Sequence, residues 1–345
     1  MKYNWKARKV ALLLICTFIG GTFVGCGDKV ENGNSVVDRE SSNLAYDGTV
    51  ALGNKAEFEI SKVTLPEEVE TKKVTKIDGN SWYYDLDSEG NAINVHVYGN
   101  YSGDVTLPST LDGHKVISIG RGYASSGNEL FFWSMNQERY LDNITSITVP
   151  DGVKYINSQA LAYCDNLQKV ILPDSVIYIG NDVFDGDDNL AYINSDVEGK
   201  VVMPENLQYY GESLFTHTKK INSFEFPKQI DYIQNWTFYQ TKGFDELTIP
   251  GQFKYIGHSA FCDSTITKVT IEDGVEMIDG SAFAMNDRLK KVNIADSVVS
   301  IGGGAFQLCK VLERFNYTGK LNYIGADVFK YNTKKDFIKY EQLPN

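Results

Sequence analysis

From Pro150 to Thr318 the chain returns to one pattern about every 23 residues. The marks fall at Pro150, Pro173, Pro204, Pro227 and Pro250, and continue without proline at Glu272, Ala295 and Thr318; the steps are 23, 31, 23, 23, 22, 23 and 23 residues. Each unit reads apolar-x-x-apolar-x-apolar-Pro-x-x-apolar-x-x-Ile-Gly-x-x-Ala-Phe, as in Leu167, Val170, Leu172, Pro173, Val176, Ile179, Gly180 and Phe184. One such unit cannot bury its own apolar edge. Units of this length must therefore stack into a solenoid whose continuous core they share.

Each position carries a physical expectation. Val170 and Leu172 alternate at period two, which predicts a short strand with one buried face. Proline has no donor to give a sheet and ends that strand. After the next apolar pair, Val176 and Ile179, comes a position held by Gly120, Asn157, Gly180, Gly211, Gln234, Gly257, Asp279, Gly302 or Gly325. Most of these tolerate positive φ, so a left-handed corner is expected there, with Gln234 the exception. Four residues further runs a column of Leu161, Phe184, Phe215, Phe238, Phe261, Phe283, Phe306 and Phe329. It should be buried throughout.

The period, the proline, the Ile-Gly step and the Ala-Phe step resemble the BspA-type leucine-rich repeats of bacterial surface proteins, over about Leu107 to the C-terminus. The resemblance implies an α/β solenoid of about eight to nine repeats, with parallel β coils and short helical or 3-10 segments. It also implies a cell-surface protein that adheres to an extracellular protein or glycan; a structural role in the envelope is the alternative. The asparagine ladder of ordinary leucine-rich repeats is missing. Its slot holds Gly152, Ser175, Gly274 or Ser297, so loop hydrogen bonds must be arranged in another way.

The N-terminus reads as an export segment. Lys2, Lys6, Arg8 and Lys9 precede an apolar run from Ala11 to Val24, shorter than the ~20 residues that span a bilayer. The run ends at Phe23-Val24-Gly25-Cys26, which resembles a bacterial lipobox, with Phe23 where Leu is usual. That likeness implies cleavage after residue 25 and acylation of Cys26, leaving a membrane-anchored chain held at the cell surface only by lipid. Residues 26–46 are polar and aperiodic and read as a flexible tether.

Residues 47–106 read as a degenerate repeat with a cap. Val63, Leu65, Pro66, Val69, Val74 and Ile77 match the spacing of Val105, Leu107, Pro108, Leu111, Val116 and Ile119. Trp82 to Leu86, a polar turn ending at Gly90, and the alternating Ile93, Val95 and Val97 predict a β-hairpin covering the open end of the solenoid 107–345. Between Pro108 and Pro150 the unit is longer by 19 residues, and the stretch from Gly120 to Ile147 carries Tyr123, Phe131, Phe132, Trp133, Met135 and Tyr140. That insert is either part of the cap or a binding loop. The second expansion, near Ser195 to Lys200, is polar and carries no signal.

Chemistry is sparse. The formal net charge of −12 gives no general attraction for a polyphosphate, which argues against nucleic acid as a partner. The four histidines, His96, His114, His217 and His258, fall in unrelated units, so neither a zinc site nor a catalytic triad is indicated. Asp185-x-Asp187-x-Asn189 lacks the glycine of a calcium loop, and Asp85-x-Asp87-x-Glu89-Gly90 ends on His96 where a bidentate Glu is required. Cys164, Cys262 and Cys309 stand too many coils apart to bridge. No catalytic residue, metal or cofactor is expected. The expected site is a stripe formed by the residue just before the repeating Ile, held by Tyr155, Tyr178, Tyr209, Tyr232, Tyr255 and Tyr323. Lying between inward apolar residues, these tyrosines should face out or lie along the surface, either as a recognition stripe or as a packing ladder. The competing surface carries Thr148, Ile171, Glu225, Thr248, Thr270, Asn293 and Asn316.

Overall fold

The computed structural model describes residues 49–52, 56–59, 63–99, 101–120, 132–133, 143–339 and 342. The export segment, Cys26, the tether and most of the insert lie outside them; all described residues belong to one compact unit. Two sets of parallel strands run up it. One set precedes the proline turn and includes Gly103–Thr106, Ile144–Thr148, Lys169–Ile171, Lys268–Ile271, Lys291–Ile294 and Arg314–Asn316. The other is a stack of nine two-residue strands from Ser118–Ile119 to Tyr323–Ile324, almost all of them Tyr-Ile or close variants. Alternation is clean where the strands are longest: Leu247 and Ile249 are buried while Glu246 and Thr248 are exposed.

The third side of each coil is neither strand nor helix. No α-helix is found among the described residues, and 3-10 conformation only at Asn143 and Gln342, so on this side the expected helical and 3-10 segments give way to a ladder of turns. Two residues in every coil have positive φ: Gln159 and Tyr163, Asp182 and Gly186, Ser213 and His217, Trp236 and Gln240, and so on to Asp327 and Tyr331. Two left-handed residues within one stretch this short prevent any helical run. Their N–H groups point instead to the following coil: Gln159 donates to Asn181 O at 2.9 Å, Ser213 to Asn235 O at 3.0 Å and Gln240 to Cys262 O at 2.9 Å. The N–H of each column Phe from Phe184 to Phe306 does the same, as in Phe261 to Ala282 O at 2.8 Å. All three sides of the coil are thus hydrogen-bonded to the next.

The left-handed corner is displaced from where the sequence pattern put it. Of the positions after the repeating Ile only Gly120 has positive φ; glycine is favoured there by proximity. A Cβ at Gly180 would stand 2.4 Å from Ser158 N, at Gly302 2.4 Å from Gly280 N and at Gly325 2.2 Å from Gly303 N. Successive coils touch backbone to backbone at this step.

The Phe column is continuous. Neighbouring rings from Phe184 to Phe329 lie 5.2 to 6.0 Å apart and within 18° of parallel, and all are buried. Three residues beyond each ring is a buried polar slot: Cys164, Asp187, Thr218, Thr241, Ser264, Asn286, Cys309 and Asn332. Most reach a main-chain carbonyl of the column. Asn286 Nδ2 donates to Phe261 O and Phe283 O at 2.9 Å each, Cys309 Sγ to Phe283 O at 3.2 Å, and Ser264 Oγ to Phe238 O at 3.2 Å. This ladder answers the missing asparagines. Among the described residues Cys164, Cys262 and Cys309 are all buried, and burial pushes the Cys309 thiol up to about 12.

Two irregularities come from the 31-residue unit and its neighbour. The extra residues add the strand Tyr192–Ile193 to the proline-side sheet, between Lys169–Ile171 and Lys200–Val202; the expansion therefore has a structural role. In the next coil Tyr210 stands where the repeating Ile belongs. Its hydroxyl accepts from Gln234 N at 2.8 Å and donates to Tyr232 O at 3.2 Å, where other coils bond main chain to main chain, as Gly211 N to Ile179 O at 2.9 Å. The Tyr-Ile sheet breaks at this seam, between Tyr209–Tyr210 and Tyr232–Ile233, and the proline-side sheet breaks one coil later, between Ser223–Glu225 and Glu246–Ile249, while Phe215 and Phe238 stay stacked at 5.4 Å.

At the N-terminal end the hairpin forms as expected. Asn80–Leu86 pairs antiparallel with Ala92–Tyr98, whose far edge joins Ser118–Ile119 in parallel. The degenerate-repeat reading fails. Glu70–Ile77 is a third antiparallel strand of the cap, and Val69 and Val74 are exposed, because pairing with the hairpin takes the place of coil stacking. Of the insert, Phe132–Trp133 pairs with the same edge at Val97 and Tyr98.

Candidate binding surface

The tyrosine stripe is not the exposed surface the sequence predicted. Tyr178, Tyr209, Tyr232 and Tyr255 are all buried, with Tyr255 at 0% exposure; only Tyr155 and Tyr323 at the two ends are partly open. The rings lie along the ladder and cover one another. Tyr178 and Tyr209 stack at 5.3 Å and 8°, and Tyr232 stacks on Tyr210 at 5.4 Å and 12°. Tyr255 Oη donates to Asp279 Oδ2 at 2.7 Å. Burial pushes the Tyr178 phenol up to about 12; burial, then the Asp279 carboxylate, raises Tyr255 further. An argument that counts only inward apolar positions overlooks that a two-residue strand leaves its other side chain free to lie flat on its neighbour.

The competing surface is open. On the proline-side sheet two rows of side chains project outward along the strands. One runs Ser146, Lys169 and Tyr192, then, beyond the seam, Glu246, Lys268, Lys291 and Arg314. The other holds Thr148 and Ile171, Val202 and Glu225, then Thr248, Thr270, Asn293 and Asn316 in register. Ile171 is 39% exposed. The second row has its own polar ladder: Asn316 Nδ2 donates to Asn293 Oδ1 at 2.7 Å and Asn293 Nδ2 to Thr270 Oγ1 at 3.5 Å.

Charge on this face is uneven. Lys169 pairs with Asp196 at 2.9 Å, Lys200 with Glu225 at 2.6 Å and Lys268 with Glu246 at 2.6 Å. Such exposed pairs contribute about 1 kcal/mol or less, and they neutralise the face from Lys169 as far as Lys268. Lys291 and Arg314 have no carboxylate partner among the described residues. At the proline turns an open polar recess of about 590 Å³ lies beside Asp174, Glu205 and Gln229, where Asp174 Oδ1 accepts from Glu205 N at 3.0 Å.

The calcium-like segments are dispersed among other partners. Asp87 Oδ1 accepts from Glu89 N and Asn91 N at 3.0 and 2.8 Å, which makes the hairpin turn. Asp185 pairs with His217 at 2.8 Å. Asp187 is fully buried and accepts from Cys164 N at 2.7 Å, and its carboxyl is held well above the ordinary range by burial and by Asp185, Asp165 and Asp188. Among the described residues no group of three or more His, Cys, Asp or Glu is placed to hold a metal, and no helix is long and apolar enough to cross a membrane.

Residues 139–202 and 208–336 match the family model described as BspA type leucine rich repeat region, in six copies. Among solved structures, a leucine rich cell surface protein from Faecalibacterium prausnitzii A2-165 is 21% identical, with 75% of this chain and 80% of that chain covered and a TM-score of 0.43. A leucine rich repeat protein of T. pallidum is also 21% identical, with coverage of 67% and 87% and a TM-score of 0.42. One from Eubacterium ventriosum is 15% identical, with coverage of 77% and 90% and a TM-score of 0.41. Comparison with curated proteins finds no match.

Proposed function

The chain belongs to the BspA-type leucine-rich repeat family, and from that premise we propose that it is an exported, lipid-anchored binding protein of the cell surface. Its working surface is the open face of the proline-side sheet, and its partner is an extracellular protein or glycan. The observation that carries this reading is the contrast between the two sheets. One turns Tyr209, Tyr232 and Tyr255 into buried packing, while the other presents Thr248, Thr270, Asn293 and Asn316 in register to solvent. Rigid repeats holding adaptable polar side chains at fixed steps of about 4.8 Å suit recognition of an extended partner. The acylated Cys26 and the polar tether would hold that face away from the bilayer.

The test is an array of extracellular-matrix proteins and glycans probed with the mature chain and with a Thr248→Glu, Asn293→Glu variant. Retention on one class of spot, lost in the variant at unchanged melting temperature, is the expected result. If the variant is retained as well as the wild type, the open face is not the binding surface.

A further inference from the structure

The last coils differ in charge from the rest of the molecule. Residues 288–345 contain ten Lys and Arg against five Asp and Glu, although the whole chain carries −12. Several of those cations are engaged elsewhere, as Lys330 is with Asp327 at 2.8 Å. On the open sheet face, however, Lys268, Lys291 and Arg314 stand directly in register on three consecutive strands, about 4.8 Å from one strand to the next. Beside them, two residues along each strand, run Thr270, Asn293 and Asn316. Among the described residues, of the three cations only Lys268 has a carboxylate partner, Glu246.

Resting on the surface reading above, we infer that this face binds an acidic polysaccharide, a chain of sugars bearing a carboxylate at regular intervals. The cationic row meets the carboxylates, and the carboxamide and hydroxyl row meets the sugar hydroxyls. Three features favour a saccharide over an acidic peptide. The Lys268–Ile271 and Lys291–Ile294 strands are hydrogen-bonded on both edges, so a peptide cannot join them as an added strand. On these three strands the two rows contain no apolar side chain and no aromatic ring to seat a peptide anchor. Both rows repeat with the strand period, as a polymer of identical units requires.

The experiment measures binding of the mature chain to polygalacturonate, to its neutral methyl ester, to poly-L-glutamate and to duplex DNA, and repeats it with Lys291→Glu, Arg314→Glu. The expected result is binding to polygalacturonate alone, weakening as salt rises and falling by about tenfold or more in the double variant. Melting of the variant should match the wild type, since both side chains project from the outer face. Absence of binding to polygalacturonate, equal binding to its methyl ester, to polyglutamate or to DNA, or affinity unchanged by the charge reversal would each overturn the inference. If the double variant loses nothing on the matrix array while Thr248→Glu, Asn293→Glu does, the inference fails and the open-face reading stands.

Discussion

Asp187→Asn should make the protein more stable at neutral pH. Asp187 occupies the buried slot three residues past the Phe column, and its Oδ1 accepts from Cys164 N at 2.7 Å. Its Oδ2 is buried and has no hydrogen-bond partner. In the same slot of a later coil, Asn286 uses its Nδ2 to donate to Phe261 O and Phe283 O at 2.9 Å. The corresponding carbonyls in the Asp187 coil are those of Leu161 and Phe184. An asparagine there keeps the bond from Cys164 N and presents a donor to those carbonyls at every pH, whereas the carboxyl can donate only while it is protonated and repels them once ionised. Relieving one unsatisfied buried group and adding one hydrogen bond is worth about 1–3 kcal/mol. Burial, with Asp185, Asp165 and Asp188 nearby, raises the folded-state pKa of Asp187 well above its ordinary value. The folded protein therefore holds a proton that the unfolded chain releases above about pH 3.9. The stability this proton contributes is complete below that pH and is lost as pH rises towards and through the folded value. The Asn variant has no such proton, so the gap between variant and wild type should open above about pH 4 and widen with pH. Thermal or urea unfolding of both proteins from pH 4 to pH 8 reads it directly. A variant less stable than the wild type at pH 7, or a gap that does not change with pH, would refute the reasoning.

Other outcomes follow from the same stack. Phe261→Ala and Phe283→Ala should each destabilise by about 3–5 kcal/mol, and because the two rings stack at 5.4 Å their effects on urea midpoints should depart from additivity; small additive effects would mean the column does not pack as described. Gly302→Ala should destabilise by about 1–3 kcal/mol through overpacking, since its Cβ would meet Gly280 N at 2.4 Å; an unchanged melting curve would contradict the close approach of the coils. Cys26→Ala in the producing cell should move the protein from the membrane fraction to the soluble one on cell fractionation; a variant that still sediments and resists salt would rule out the lipid anchor.

What the sequence disclosed and what it hid separate along physical lines. Positions at which every coil repeats the same burial, such as Phe184 to Phe329 or the Val170 and Ile179 columns, are legible because a fixed period needs no knowledge of neighbours. The positive-φ corner was misplaced because glycine reports either backbone freedom or backbone proximity; Gly180 and Gly302 serve the second, while residues such as Trp236 and Met285 take the left-handed conformation. The polar slot was half visible: Cys164 and Cys309 mark it, but Asp187, Thr218 and Asn286 differ so much in type that only their shared burial unites them. The seam was missed although Tyr210 is the one residue to replace the repeating Ile in its column, since nothing in a single sequence says that a phenol will stand in for a ladder bond. The tyrosine stripe is legible as a column, but its side-chain direction is not, since Tyr209, Tyr232 and Tyr255 are buried along the ladder. The open face was noted only as the stripe's rival, because its Lys, Glu, Thr and Asn share exposure and register, not chemistry.

The division between scaffold ladder and open face is best tested by two variants measured together, Tyr178→Ser, Tyr209→Ser, Tyr232→Ser and Thr248→Glu, Asn293→Glu, each for melting temperature and for retention on the matrix array. Three buried rings lost from one ladder should cost several kcal/mol and lower the melting temperature by many degrees. The Glu pair should melt with the wild type and lose retention. A tyrosine variant that melts with the wild type yet no longer binds, beside a Glu pair that binds normally, would contradict the account.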